Sequence, residues 1–531
     1  MDKHKPEHNI PVWAILALVL SIPAFLINLG LHPYIEDEAI RVLVALEMDL
    51  SGSYFYPTLG GEAYYAKPPL YNWILLGFSF LTGGLNEWTT RIPTVLFLYG
   101  FVFYIYKAHR RLGFSSNNSL LIALLFMTCG RIVFWDSFLG LIDIFFSWVA
   151  YAMIVEMFIN WQKERWWRLF GITYFLVSIG FLLKGFPILV FFIFTGLWIW
   201  LLDRRVGRQL ITVPNIIGLL IPVLVVGGYY WIYQELGEVD SSLAGLADQA
   251  ARRTVFRYDI ESVIRHFFTY PFENLYHFLP WTLIGFLFFK KGGWKLVKQD
   301  SFIFYCAGAF LINIIPYWVS PEVFPRYILM LIPLSFSVLV YWYHSMEEKS
   351  KWKIGYDNLF NILGFGGLVF MGISFLNNKV TLVDNWQLKA FSCLVVGAVL
   401  VYFLFKTQKK IWVLINIVLV MRIAFNWFVI PIRMMEDDGL IAKNDAERIA
   451  EKYGSEDIHM YRSSIRDYTT IFHIENKINK IISVDTTSEI MIFNPLDYDQ
   501  LPKSYGVVDS MYVRRIDGQA WVLKRKEPKT K

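Results

Sequence analysis

Long apolar stretches recur along the chain from residue 11 to residue 432. Each is long enough to cross about 30 Å of hydrocarbon as a helix. The stretch from Ile10 to Leu31 is too long for a signal peptide and lacks a small-residue cleavage site, so we expect a retained span. The pattern predicts thirteen membrane-spanning helices, at residues 11–31, 91–107, 119–135, 139–158, 169–183, 186–202, 211–233, 273–289, 302–319, 326–344, 357–376, 388–405 and 411–432.

The gaps between these segments alternate in charge. Lys and Arg concentrate in every second gap, namely the N-terminal stretch with Lys3 and Lys5 and residues 107–111, 163–168, 204–208, 290–298, 349–353 and 406–410. Cytoplasmic loops carry such an excess of positive charge. We therefore predict a cytoplasmic N-terminus, a C-terminus on the outer side, and three outer regions at 32–90, 234–272 and from 433 onwards.

The tail has a different pattern. "DAERIAEKYGSE" has the spacing of an amphipathic helix, while "IISVD", "IMIF" and "AWVLKR" are typical of strands. We predict a transmembrane domain at 1–432 and a small extracytoplasmic α/β domain at 433–531.

The composition narrows the class of protein. The chain is 56% hydrophobic with a mean hydropathy of +0.42, which excludes a soluble protein. Its net charge of +6 resides in short loops between spans, so we expect no nucleic-acid partner. The three cysteines lie in apolar segments and are expected to be core residues, not disulfides or metal ligands.

Acidic residues gather where the first predicted span ends. Glu36, Asp37 and Glu38 are consecutive there, and Asp143 lies inside the apolar run "FLGLIDIFFSW". Asp37 and Asp143 are expected at the same depth on the outer side, where two carboxylates suit acid–base chemistry or metal binding. Asp37, Glu38 and Asp143 are the catalytic candidates. The alternatives are a helix cap for Asp37 and an interhelical hydrogen bond for Asp143.

Three basic residues are predicted at a similar depth. Lys67 precedes two prolines in "AKPPLYNW", Lys184 precedes a helix-breaking glycine in "FLLKGFPIL", and Arg326 opens a span in "FPRYILMLIP". Because positive charge is otherwise avoided on this side, we expect an anionic partner such as a lipid phosphate. The alternative for all three is a side chain that snorkels to the membrane surface.

The order of these motifs resembles that of a known family. An acidic "DE" pair, "KPPLYNW" and Arg91-Ile92-Pro93 are followed by the aspartate of the fourth span, "LLKG", Pro280-Trp281 and "PRY". This set resembles the bacterial aminoarabinose lipid A transferases and the wider protein mannosyltransferase-like group over residues 10–430. The resemblance implies the C-type glycosyltransferase fold with thirteen spans, periplasmic loops over a cavity and a periplasmic C-terminal domain.

The resemblance also implies roles for single residues. Asp37 matches the essential acid of the first outer loop, and Asp143 matches the acid of the fourth span. Lys67 matches the lysine that contacts the donor phosphate. Arg326-Tyr327 match a basic–aromatic pair near that phosphate, and Lys184 is a further phosphate-binding candidate.

The resemblance also raises the question of a metal site. His266 could match a histidine that helps to bind a metal in the aminoarabinose transferases, where the partner is a glutamate before the lysine of the KPPL motif. Here that position is Ala66. No cofactor is therefore predicted, a divalent metal stays open, and a structural role for His266 is the alternative.

Together these observations predict an inverting glycosyltransferase of the bacterial inner membrane. The resemblance implies a polyprenyl-phosphate-linked sugar as donor and lipid A, another glycolipid or a protein as acceptor. We also expect the protein to contact membrane lipids and to be a monomer. A transporter or flippase for lipid-linked glycans is the alternative from another class, because intramembrane charges also relay ions and steer anionic lipids. An accessory or polymerase-like glycan protein is a third interpretation.

Overall fold

A computed structural model describes residues 10–237, 239–251, 257–290, 292–461, 465–501 and 503–526. Lys3 and Lys5, used in the topology prediction, lie outside the described residues, as do residues 252–256 of the predicted second outer region. The chain forms two compact units. The first unit comprises Met1–Asn28, Thr94–Tyr230 and Leu243–Ile432, and the second comprises Leu29–Pro93, Trp231–Ser242 and Arg433–Lys531.

The first unit is built from helices. Polar residues start several of them: Ser115, Asp300 and Ser350 each accept a hydrogen bond from a backbone N–H of the first turn. The α-helices of this unit are Val12–Leu26, Ser116–Met127, Gly130–Phe134, Asp143–Gln162, Trp166–Lys184, Pro187–Leu202, Val206–Gln209, Val213–Gly218, Leu220–Pro222, Ile260–His277, Gly293–Val297, Ser301–Trp318, Ile332–His344, Lys351–Ser374, Trp386–Lys406 and Lys410–Ala424.

Four further α-helices contain a boundary between the chain segments of the two units: Glu87–Arg111, Gly228–Gln234, Val239–Ala251 and Ile430–Met434. Shorter 3₁₀ and π turns occur at Asp136–Phe138, Val223–Gly227, Trp281–Phe289, Pro325–Leu331, Asn378–Leu382 and Phe425–Val429.

Many of these helices can cross a membrane. Within the described residues, eight are long and apolar enough, and a ninth span results if the pair Ser116–Met127 and Gly130–Phe138, bent by 44°, is counted as one. Apolar helices of 10–17 residues occur at Val12–Leu26, Leu70–Thr82 and Pro187–Leu202. The chain is a multi-pass membrane protein, and the number thirteen stays a prediction.

One predicted span differs from the structure. Residues 273–289 do not form one helix, because the chain is α-helical over Ile260–His277, passes through Pro280 and continues as the 3₁₀ helix Trp281–Phe289. Nine residues of 3₁₀ helix cover about 18 Å at about 2.0 Å per residue, which is less than the roughly 30 Å of a hydrocarbon core.

The second unit combines helices with two small sheets. The α-helices are Glu36–Ser51, Leu70–Thr82, Asp438–Tyr453 and Tyr468–Ile478. A hairpin pairs Thr58–Leu59 with Glu62–Ala63. The larger sheet has the strand order Ile458–Met460, Ile490–Phe493, Gly518–Arg525 and Tyr505–Val513, in which the first pair is parallel and the others are antiparallel.

The predicted helix at 445–456 lies largely within Asp438–Tyr453, and strands are present at "IMIF" and "AWVLKR". "IISVD" is not a strand, since within it only Val484 makes an isolated bridge, with Met460. Met491, Phe493 and Leu523 are fully buried in the core that the larger sheet covers.

Candidate functional site

A cluster of charged residues is buried inside the first unit. Asp143 is the first residue of helix Asp143–Gln162, and Lys184 is the last residue of helix Trp166–Lys184. Lys184 Nζ donates a hydrogen bond to Asp143 Oδ1 over 2.5 Å, and Arg326 Nε lies 3.6 Å from Asp143 Oδ2. All three residues are at most 9% exposed. We refer to Asp143, Lys184, Arg326 and Tyr327 as the charge cluster.

A glycine fixes the place of Lys184. Gly185 has φ = +79° and ψ = −140°, a conformation that side chains other than hydrogen strongly disfavour. A Cβ there would also lie 3.3 Å from Leu246 Cδ2. The helix therefore ends directly after Lys184, and Pro187 opens the next helix, as the sequence predicts.

Aromatic rings surround the two cations of the charge cluster. Lys184 Nζ lies 4.4 Å from the centre of the Tyr327 ring, and the Arg326 guanidinium lies 4.6 Å from that of Phe324. Such contacts stabilise cations that have left bulk water. A snorkelling side chain would instead carry its charge to the membrane surface, so the buried positions of Lys184 and Arg326 do not fit that alternative.

A second buried ion pair adjoins the charge cluster and was not predicted. Arg131 donates two hydrogen bonds to Asp136, of 2.9 Å and 3.0 Å, and Asp136 interacts electrostatically with Asp143 and Arg326. Together the five charged residues comprise three cations and two carboxylates. The available signal in the sequence is an arginine and an aspartate within the otherwise apolar run "CGRIVFWDSF".

In the second unit, Glu38 belongs to a different arrangement. The fully buried Arg91 donates to both oxygens of Glu38 over 2.9 Å, and its remaining N–H groups donate to the carbonyls of Leu29, His32 and Pro33. A guanidinium has five N–H donors, and all five have acceptors here. Glu38 also accepts from the Ile35 N–H, which starts the helix. These contacts give Glu38 a structural role at the start of helix Glu36–Ser51.

The remaining candidates of the first outer region also belong to the second unit. Asp37 lies in the first turn of helix Glu36–Ser51, whose N-cap position is Ile35, so Asp37 is not the capping residue. Lys67 is half-buried in a bend between strand Glu62–Ala63 and helix Leu70–Thr82.

Hydrogen bonds fix the chain on both sides of Lys67. Arg41 Nη2 donates to the Tyr64 hydroxyl, and Asn72 Nδ2 donates to the Arg41 carbonyl over 2.7 Å. Trp73 Nε1 donates to the Tyr54 carbonyl, also over 2.7 Å. The conformation around the "KPPLYNW" motif is therefore held by its own side chains.

The residues present do not fit the metal site that the resemblance suggested. His266 Nε2 lies 3.2 Å from the Tyr317 carbonyl oxygen, and its ring lies 4.8 Å from that of Tyr270. The side chain of Ala66 offers no ligand atom. No group of three His, Cys, Asp or Glu side chains in the described part of the chain is arranged to hold a metal ion. We derive no step through a metal.

A cavity of about 900 Å³ lies within the first unit. Arg131 and His277 are on its wall, and most of the other lining residues are apolar, among them Phe134, Leu279 and Phe370. Its volume is at the upper end of the range of small-molecule sites. The cavity is thus suited to an apolar chain.

Comparisons with known proteins bear on both fold and family. Residues 66–231 match the family model described as dolichyl-phosphate-mannose-protein mannosyltransferase. A 203-residue stretch is 30% identical to undecaprenyl phosphate-alpha-4-amino-4-deoxy-L-arabinose arabinosyl transferase 1 of Pseudomonas fluorescens (strain Pf0-1), covering 37% of this chain and 35% of the relative. Transferase 2 of strain Pf-5 is 28% identical over 40% of this chain and 37% of its own length. The chain thus aligns with about a third of the length of these curated relatives.

The fold similarity extends much further along the chain. The crystal structure of ArnT from Cupriavidus metallidurans in the apo state matches with a TM-score of 0.68 and 15% identity, covering 97% of this chain and 99% of that one. The same protein bound to undecaprenyl phosphate matches with a TM-score of 0.67 and 16% identity, with the same coverage. The fold is therefore the C-type glycosyltransferase fold, and the resemblance predicted from the motifs is confirmed.

Proposed function

We propose that this chain is a membrane glycosyltransferase. It transfers a sugar from a polyprenyl-phosphate donor to an acceptor at the outer face of a bacterial inner membrane. The observation that carries the proposal is the charge cluster, in which Lys184 and Arg326 both lie against the carboxylate of Asp143. The similarity to transferases named for undecaprenyl-phosphate aminoarabinose supports the class of donor.

The charge cluster suits a phosphate that gains negative charge. When the bond between the anomeric carbon and the phosphate oxygen breaks, the electron pair stays on the phosphate. Cations held in place away from bulk water stabilise that charge without reorganising. Arg326 can contact two phosphate oxygens through its planar fork, and Lys184 supplies a point charge. Asp143 keeps both cations oriented and lowers the cost of burying them.

Lys67 and Asp37 have separate proposed roles. Lys67 contacts the donor phosphate, and Asp37 orients the acceptor or takes its proton. The acceptor oxygen attacks the anomeric carbon from the side opposite the phosphate, so the configuration inverts. If the acceptor oxygen belongs to a phosphate, it carries no proton that must be removed, and Asp37 then serves orientation alone. Glu38 takes no catalytic part in this proposal, because Arg91 already occupies both of its oxygens.

The finer points of topology and substrate are part of the proposal. The N-terminus is cytoplasmic and residues 433–531 form a periplasmic domain, as the charge alternation predicts. The acceptor is lipid A, another glycolipid or a protein, and the enzyme acts as a monomer.

Transfer by the purified chain in liposomes tests the proposal. The donor is a radiolabelled polyprenyl-phosphate aminoarabinose, and lipid A is the first acceptor. Lys184→Met is expected to lower turnover about tenfold or more, since a charge-assisted hydrogen bond contributes roughly 1.5–3 kcal/mol.

Lys353→Met is the matched control. Lys353 is another buried lysine of the first unit, bonded to the Tyr343 hydroxyl over 2.6 Å and lying 3.7 Å from Asp357. This variant should lose stability but keep the turnover of the folded fraction. Equal turnover in wild type and Lys184→Met would contradict the role of the charge cluster. Movement of labelled lipid across the bilayer without a transfer product would favour the transporter instead.

A further inference from the structure

Two buried glutamates of the second unit lie outside the candidate site. Glu47 is in the last turns of helix Glu36–Ser51, Glu475 is in helix Tyr468–Ile478, and each is 0% exposed. A buried carboxylate is costly unless hydrogen bonds or a cation compensate for the lost water. The contacts of both side chains therefore need a physical explanation.

Glu47 binds the turn of the hairpin that precedes Lys67. Gly60 N–H donates to Glu47 Oε1 over 2.5 Å, and Gly61 N–H donates to Oε2 over 3.2 Å. The two glycines have φ values of +63° and +73°, which aim successive N–H groups at one anion. A Cβ on Gly61 would lie 2.9 Å from Ser483 Cβ, so this turn also packs closely on the C-terminal part of the unit.

Glu475 is a neighbour of Glu47. Its Oε1 accepts from the Ile482 N–H over 2.7 Å, while its buried Oε2 has no hydrogen-bond partner among the residues that the structure describes. Burial, and then the charge of Glu47, raise the pKa of Glu475 to about 9. Near neutral pH the Glu475 carboxyl is therefore protonated. The two groups hold one proton and one negative charge between them.

Several other charged groups on the packed elements form ion pairs of their own. These pairs include Glu62 with Arg466, Glu451 with Lys477, and Asp457 with Lys480. His473 lies 3.8 Å from Glu447 but is neutral, because burial lowers the pKa of His473 to about 3. Of the charged groups near Glu475, Glu47 is the one whose charge raises the pKa of Glu475.

We propose that Glu47 and Glu475 are positioning residues that act on Lys67 through the hairpin turn. While Glu475 is protonated, the carboxylate of Glu47 holds Gly60-Gly61 in place, and the turn is only six residues ahead of Lys67. This inference rests on the proposed function, in which Lys67 contacts the donor phosphate. Once Glu475 loses its proton, two negative charges face each other in a buried site. The turn then loosens, and donor binding weakens although no group in contact with the donor has titrated.

The Glu47–Glu475 pair also makes the free energy of unfolding depend on pH. Glu475 has an ordinary pKa of about 4.3 in the unfolded chain and about 9 in the folded unit. Between these values the folded state binds a proton that the unfolded state lacks. Stability therefore falls as pH rises through this window and levels off above about pH 9. Glu475→Gln carries no such proton, so its stability should fall less over the same range.

The test uses the full chain in detergent, with Glu475→Gln as an analogue of the protonated acid. The KM for a polyprenyl-phosphate sugar should rise at least threefold between pH 8 and pH 10 in wild type and stay flat in Glu475→Gln. Glu451 is an exposed acid that pairs with Lys477 of helix Tyr468–Ile478. Glu451→Gln should therefore show the same pH dependence of KM as wild type. Glu475→Ala, which also lacks the second negative charge, should show a KM that does not change between pH 8 and pH 10.

Hydrogen exchange provides a second readout that needs no activity. Protection of the Gly60 and Gly61 amides, corrected for the intrinsic rate, should be lost above about pH 9 in wild type and kept in Glu475→Gln. Identical protection in both proteins across this range would overturn the proposal. If amide protection changes with pH as expected but no sugar transfer occurs at any pH, the proposed function is overturned and the effect of Glu475 on the turn still stands.

Discussion

The five hydrogen bonds of Arg91 allow a test that separates structure from catalysis. Arg91→Leu leaves the Glu38 carboxylate buried without its cation and leaves three carbonyls without these donors. Glu38→Leu removes the carboxylate but keeps the bonds from Arg91 to the three carbonyls. Both variants break one buried ion pair, yet they differ in how many polar groups they leave unsatisfied.

The magnitudes follow from these counts. Breaking a buried pair by removing one partner costs about 3–5 kcal/mol. A buried carbonyl that loses its donor costs at least about 1 kcal/mol. In Arg91→Leu the carbonyls of Leu29 and His32 lose this donor, while Pro33 keeps its contact with His32 Nδ1. In Glu38→Leu the Ile35 N–H loses its acceptor. Arg91→Leu should therefore destabilise the protein by about 1 kcal/mol more than Glu38→Leu does. Arg466→Leu, which removes an exposed pair with Glu62, should cost less than about 1 kcal/mol and serves as the control.

The assay measures the folded fraction and the turnover of that fraction. Samples in detergent are heated, the monodisperse fraction is quantified by size-exclusion chromatography, and turnover is normalised to it. We expect the melting temperatures to decrease from wild type to Glu38→Leu to Arg91→Leu. Glu38→Gln should melt earlier than wild type but retain turnover per folded molecule. A Glu38→Gln protein that melts like wild type and has lost turnover would refute the structural role and restore Glu38 as a catalytic residue.

Three other predictions follow from the candidate residues. Lys67→Ala should lower turnover and donor affinity about tenfold or more. Lys67→Arg should rescue only part of the loss, because a planar fork replaces a point charge. Steady-state kinetics at varied donor concentration would measure both effects, and unchanged kinetic constants would exclude the phosphate contact. Asp37→Asn should abolish transfer to a hydroxyl acceptor while the protein still folds and inserts, whereas near-normal turnover would exclude a catalytic role. Ser504→Cys should react with an impermeant thiol reagent in intact spheroplasts, and labelling only after lysis would contradict a periplasmic C-terminal domain. The native cysteines should not react with this reagent, because Cys129, Cys306 and Cys393 are all buried.

The sequence predicted the helical parts of the fold well, because a membrane forces backbone groups to bond within each helix. The sequence-based prediction was wrong where it relied on hydropathy alone. The run at 273–289 is apolar enough for a span, but the chain breaks near Pro280 and continues as a short 3₁₀ helix. Strand Tyr505–Val513 contains exposed and polar positions, and its place is set by pairing with Gly518–Arg525. Such pairing leaves little local signal.

The sequence predicted the residues of the candidate site but not how they pair. Residue type and predicted depth identified Asp143, Lys184 and Arg326, and the structure brings these three together. Partners cannot be assigned from depth alone. Glu38 has the same chemistry as Asp37 and is its neighbour, yet Glu38 is occupied by Arg91. Which acid meets which cation depends on helix rotation and loop path, and neither is readable from a single sequence.

The second unit draws on distant stretches of the chain, and this has a consequence for biogenesis. About 340 residues separate Pro93 from Arg433, the limits of its two largest segments. At roughly 5–20 residues per second, a ribosome needs on the order of 20–70 s to make the intervening part. During that time the helix Glu36–Ser51 has been synthesised but the helix Tyr468–Ile478, which buries Glu475 beside Glu47, has not. The early segment must wait beside the membrane in an incomplete state. Translation speed and holding chaperones should therefore affect the yield of this protein more than they affect a protein whose outer domain is continuous in sequence.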